Sequence, residues 1–156
     1  RNGTNISLSS KPVGQLILGN CTNVSISDVQ ISNTVVGIES GFSKNLSITN
    51  STISNNSKMG IYLYNTNQNN LSGNEIHNNG AGGEGCGIYI RGETHDITIV
   101  ANKISDTRPE GEKTQQFGIW IGPKADRITI KENKIWDNKE GPIKNEAVDA
   151  QVEISD

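Results

Sequence analysis

The sequence predicts an all-β chain wound as a parallel β-helix of about six coils, and three observations predict it. A pair of apolar residues five positions apart recurs as Ile26/Ile31, Ile48/Ile53, Leu71/Ile76, Ile99/Ile104 and Ile130/Ile135, with Leu8/Val13 as an earlier copy. Each pair leads to a Gly-Ile step at Gly37-Ile38, Gly60-Ile61, Gly87-Ile88 and Gly118-Ile119, with Gly141 marking the fifth unit. The composition is that of strands: 21 isoleucines and eight valines stand against six leucines, and no stretch sustains a helical period.

Successive pairs are 22, 23, 28 and 31 residues apart. A unit of about 22 residues with three short strands cannot bury its own apolar face, so the copies must stack, each strand pairing in parallel with its counterpart about 4.8 Å away. Leucine-rich repeats of similar length need leucine at most core positions, which six leucines do not supply. The solenoid is expected over residues 1–144. Val148, Ala150, Val152 and Ile154 alternate like one more strand, whereas 145–147 break the repeat. Residues 145–156 therefore read as a terminal strand or cap, or the start of a further coil.

Polar residues line the turns in columns. Ser51, Asn74, Asn102 and Asn133 stand two positions before the second core isoleucine, and Asn33, Asn55, Asn78, Asp106 and Asp137 stand two after it. Stacked amides at such positions can hydrogen-bond along the axis while satisfying turn backbone groups. Ser7, Ser25, Ser47, Thr98 and Thr129 form a separate outward hydroxyl column, interrupted by Asn70.

A net charge of -3 offers no basic stripe for nucleic acid, and no apolar run approaches the roughly 20 residues that cross a bilayer. Neither partner is expected. Cys21 and Cys86 lack metal or redox spacing and read as two buried free thiols; no metal or cofactor is expected. Eight Asn-x-Ser/Thr sequons, from Asn2 to Asn70, fit an extracellular or cell-surface setting.

The Asn-x-x-Ile turns, the Gly-Ile-Tyr-Leu and Gly-Ile-Trp-Ile strands and the stacked Asn positions, over about Asn23 to Ile143, resemble the right-handed parallel β-helix proteins of the pectate-lyase-like superfamily. The resemblance implies a right-handed coil and a secreted protein that recognises or cleaves polysaccharide. The alternative it admits is a non-catalytic structural or adhesive segment of a larger surface or fibre protein. Neither the paired-Asp and Gly-His-Gly pattern of polygalacturonases nor the calcium-aspartate and arginine pattern of pectate lyases is present.

Two consecutive coils are enlarged at one corner. The gap from the second core isoleucine to the next Gly-Ile is six or seven residues elsewhere, but 11 from Ile76 to Gly87 and 14 from Ile104 to Gly118. Protruding loops on a rigid scaffold are where binding concentrates. Beside them Tyr62, Tyr89 and Trp120 occupy one outward position in successive coils, above Glu39. They are expected to form a platform for sugar rings, or an interface through which the chain oligomerises.

Lyase chemistry needs a base and a cation for the uronate carboxylate, for which His77 or Tyr89 and Arg91 or Arg108 are the candidates. Glycoside hydrolysis needs two carboxyl groups, for which Glu84, Glu110, Glu112 and Asp106 are clustered. His77 should face outward at the root of the first enlarged loop, one coil from Ser105 and two from Trp136. His95 reads as a turn residue beside Asp96.

Overall fold

The computed structural model of the chain describes residues 12–83, 85–148 and 151–155. Ser7, Leu8, Glu84, Ala150 and the sequons at Asn2 and Asn5 lie outside the described residues. Strands come in triplets, one triplet per coil. They are β1 (Pro12–Val13), β2 (Leu16–Gly19) and β3 (Thr22–Ser27); then β4 (Gln30–Ser32), β5 (Ile38–Gly41) and β6 (Lys44–Thr49); then β7 (Thr52–Ser54), β8 (Ile61–Tyr64) and β9 (Asn67–Ser72). The fourth coil has β10 (Glu75–His77), β11 (Gly85–Arg91) and β12 (His95–Val100), and the fifth β13 (Lys103–Ser105), β14 (Gln115–Ile121) and β15 (Asp126–Lys131). The sixth has β16 (Lys134–Trp136), β17 (Gly141–Asn145) and β18 (Val152–Ser155).

Every third strand pairs in parallel, giving three six-stranded sheets. The first sheet holds β1, β4, β7, β10, β13 and β16; the second begins with β2 and the third with β3. The recurring apolar pairs set the register. Ile26, Ile48, Leu71, Ile99 and Ile130 lie over one another in the third sheet, and Ile31, Ile53, Ile76, Ile104 and Ile135 in the first. Ile38, Ile61, Ile88 and Ile119 complete the triangular core from the second. All are buried except Ile135, which is half-buried. Near the end of the chain β18 continues the third sheet by pairing with β15.

The Gly-Ile glycines are there because neighbouring coils approach closely. A Cβ on Gly60 would stand 2.7 Å from the carbonyl of Gly87 and 2.8 Å from Ile76 Cγ2. In the sixth coil Gly141 pairs with Phe117 and Ile143 with Ile119, so Pro142 and not Gly141 stands at the level of Gly118. Cys86 is buried, and burial pushes its thiol well above the ordinary range. Cys21 is only half-buried, because it lies in the turn before β3 and its thiol reaches the Gly19 carbonyl at the surface.

Two chains of side-chain hydrogen bonds run along the axis inside the corners. In the first, Ser51 N donates to Asn74 Oδ1, Asn74 N and Nδ2 donate to Asn102 Oδ1, and Asn102 N and Nδ2 donate to Asn133 Oδ1, all at 2.9–3.0 Å. The second lies one residue later than the column expected after the core isoleucine. It runs from Thr34 through Asn56, Asn79 and Gln115 to Asn138. The residues expected there, Asn33, Asn55, Asn78 and Asp137, take positive φ of 55–59° and turn the chain instead; Asn33, Asn55 and Asp137 are exposed, and Asn78 Oδ1 accepts from Thr107. Asn tolerates that left-handed conformation better than other non-glycine residues.

The two kinds of asparagine differ in what they hold. Asn102→Ala leaves the Asn74 backbone N–H and the Leu71 carbonyl without their inward partners and is expected to cost about 2–3 kcal/mol. Asn55→Ala loses conformational tolerance and a long bond to the Ser54 hydroxyl that solvent can replace, about 1 kcal/mol. Urea unfolding of both variants checks the ordering.

Candidate functional site

The outer face of the second sheet repeats one kind of side chain at one level. Register places Glu39 beside Tyr62, Tyr62 beside Tyr89, Tyr89 beside Trp120 and Trp120 beside Lys144. Tyr62 and Tyr89 stack at 5.6 Å between centroids with 30° between planes, and Tyr89 and Trp120 at 4.9 Å and 32°. Lys144 Nζ covers the other side of Trp120 at 3.9 Å from the ring centroid and pairs with Glu146, which accepts from Trp120 Nε1.

This geometry corrects the expected sugar platform. The two faces of Tyr89 are taken by Tyr62 and Trp120, so the strip presents ring edges and hydroxyls outward. Alongside it a groove of about 310 Å³ is lined by Gln15, Val35, Val36, Glu39, Lys58, Met59, Tyr62, Tyr89 and Arg91. Arg91 is exposed and has no carboxylate partner among the described residues. Partial burial pushes the Tyr89 hydroxyl above its ordinary value; Arg91 opposes this and Glu146 adds to it. At neutral pH the group is a phenol that donates a hydrogen bond.

Tyr64, Lys58 and Lys144 escaped the sequence reading. Tyr64 lies next to Arg91 in register and packs edge-on against Phe42 at 5.4 Å. The alternation Tyr62-Leu63-Tyr64 was its signal. Lys144 was hidden by matching Gly141 to Gly118, which shifts the sixth strand by one residue. Lys58 lies in a turn and has no repeat position.

Among the described residues, the remaining candidates do not converge on this groove. His77 belongs to the first sheet, in register with Ser54, Ser105 and Trp136. It therefore faces a different side of the solenoid from Tyr89 and Arg91. His95 is held in the third sheet, with Nδ1 2.7 Å from Asp96 Oδ2. Hydrogen bonds from Arg127 and then His95 keep Asp96 well below the carboxylate range.

Arg108 is engaged inside its own loop and is not presented to a ligand. Its Nε and Nη2 grip the fully buried Asp106 at 2.7 and 2.6 Å, and Nη2 also reaches the Asn79 carbonyl. Asp106 further accepts from the backbone N–H groups of Thr114, Gln115 and Arg108. Burial alone would raise its carboxyl, but the Arg108 bond and then these backbone donors outweigh burial and bring it below the usual range. The enlarged loop is thus pinned across its base. Asp106 faces inward, Glu110 pairs with Lys113 at 2.7 Å, and Glu112 is exposed. Among the described residues no group of three or more His, Cys, Asp or Glu is arranged to hold a metal, and no helix is long and apolar enough to cross a membrane.

A family described as right handed beta helix region matches residues 3–156. Among solved structures, the chain is similar to the A-module of mannuronan C-5 epimerase AlgE6 from Azotobacter vinelandii. The TM-score is 0.63 at 13% identity, over 97% of this chain and 48% of that one. It is also similar to the A-module of mannuronan C-5 epimerase AlgE4 from the same organism, with a TM-score of 0.52 at 12% identity, over 95% of this chain and 57% of that one. The chain spans about half the length of these modules. No curated protein sequence matches it.

The pinned loop generates a pH test. Asp106→Asn is expected to destabilise the fold by about 3 kcal/mol near neutrality, since it weakens a buried pair and its backbone bonds. Because folding lowers the Asp106 pKa, the native carboxylate's advantage is full above its unfolded value near 4 and is lost as pH falls through the folded value. Urea unfolding of both chains from pH 7 to pH 3 should show a constant gap that narrows only in the acid range.

Proposed function

The chain belongs to the right-handed β-helix family, and from that premise we propose that it binds an acidic polysaccharide along the second-sheet groove, at the cell surface or outside the cell. The observation that carries this is the run of Tyr62 and Tyr89 beside Arg91 and Lys58, with Glu39 as the only acid among the groove's lining residues. A polymer lying along the axis meets a similar polar edge at each coil, and two cations against one carboxylate favour an acidic chain. The mannuronan named for the two similar A-modules makes that polymer the first probe.

Recognition is favoured over cleavage. In the groove Tyr89 and Arg91 are the base and cation candidates, but the hydroxyl is protonated at neutral pH. His77 is on another face, and Arg108, Asp106 and Glu110 are engaged within the enlarged loop. A second reading is an adhesive or structural segment of a larger surface protein, which the exposed Ile17, Val35 and Phe42 favour. Sedimentation velocity would reveal self-association through that patch.

Affinity electrophoresis in gels containing mannuronan, polygalacturonate or a neutral glucan tests the binding. Retardation by an acidic polymer is expected, without new reducing ends or unsaturated uronate. Because the ring edges face outward, Tyr62→Phe with Tyr89→Phe keeps the stack but removes both hydroxyls, and is expected to weaken binding about tenfold or more. Undiminished binding by that double variant would refute edge recognition, and turnover of the polymer would replace binding by catalysis.

A further inference from the structure

The first sheet carries a groove of its own, of about 390 Å³, and its outward column is built differently from that of the second sheet. There every coil from the third to the fifth contributes a ring, and the rings close on one another. Here the column reads Ser54, His77, Ser105 and Trp136, so a serine separates two rings. Ser105 is buried and forms the floor. His77 and Trp136 are two strand spacings apart, roughly 9.6 Å. Two apolar contacts of about 4.0–4.5 Å, one against each ring, take up most of that width, which leaves the thickness of a single flat ring.

The rim supplies charge. Lys103 and Lys134 stand against Glu75. The Lys103–Glu75 pair, at 3.0 Å, has both side chains more than half exposed, so it exchanges readily. Lys134 lies 5.1 Å from the Trp136 ring centroid and has no carboxylate partner among the described residues. His77 Nδ1 is buried without a partner, which leaves Nε2 as the nitrogen that can meet a ligand. We propose that this slot is a second binding site, which seats one pyranose of an acidic glycan between His77 and Trp136 over Ser105, with its carboxylate on Lys134 and Lys103.

This inference rests on the reading of the chain as a polysaccharide binder, and the two tryptophans allow the two to be separated. The chain has only Trp120 and Trp136. Trp120→Phe therefore leaves Trp136 as the sole tryptophan in the first-sheet slot, and Trp136→Phe leaves Trp120 in the second-sheet strip. Each variant is titrated with mannuronate and galacturonate hexasaccharides and with cellohexaose, following tryptophan emission. A saturable change in Trp136 emission with an acidic hexasaccharide is expected. It should be absent with cellohexaose, unaffected by Arg91→Gln, and shifted to about tenfold higher concentration by Lys134→Gln. A silent Trp136 overturns the slot; the second-sheet reading is then judged separately by gel retardation, which supports that reading if Tyr62→Phe with Tyr89→Phe abolishes it and overturns it if the unaltered chain shows none. A Trp136 response that is lost with Arg91→Gln, shared by cellohexaose or indifferent to Lys134→Gln also overturns the slot.

Discussion

At the corner where the third sheet turns into the first, backbone N–H groups point into a space that water does not reach, and each must find an acceptor one coil further on. Ser51, Asn74, Asn102 and Asn133 meet that need in turn. An amide suits the task because its oxygen takes the N–H of the coil before while its nitrogen donates onward, so each bond prepares the next. Ser51 does the same more weakly, accepting from Val29 N and donating to the Thr49 carbonyl. The register of all three sheets depends on this relay. A slip of one residue would break it and turn every core isoleucine outward.

Once register is held, like residues stack on like, and the outer faces inherit the consequence. Where Tyr62, Tyr89 and Trp120 follow one another, aromatic faces satisfy aromatic faces and only edges reach solvent. Where Ser105 intervenes between His77 and Trp136, the same spacing leaves a slot. The two columns themselves need no loop; each follows from which residues successive coils place at one level.

The fold was legible because its signal repeats. Ile48/Ile53 and its copies announce both core positions and pairing, and the Gly-Ile steps mark the place where no Cβ fits. The turns were harder to read. Asn55-Asn56 and Asn78-Asn79 offer two adjacent amides, and composition does not say which one turns the chain and which one bonds inward. Gln115 joins the inner column 36 residues after Asn79, beyond an enlarged loop, so counting could not find it. Tyr62, Tyr89 and Trp120 were found by their common position, but ring orientation depends on the distance between coils rather than on residue type. Arg108 looked like a free cation because its partner Asp106, two residues away, looked like one more member of the turn column.

A flat solenoid face holds one column of side chains at one level, whereas acid–base chemistry needs groups that approach a substrate from more than one direction. On such a scaffold that convergence must come from overhanging loops. Here the loop after β13 closes on itself through Asp106, Arg108 and the Thr114 and Gln115 backbone, and it directs its best cation inward. What the second and first sheets leave open are linear surfaces, rich in hydroxyls and cations and aligned with the axis. Surfaces of that kind suit a polymer that lies along them, since each coil adds a small, similar contact and no single residue has to carry the recognition.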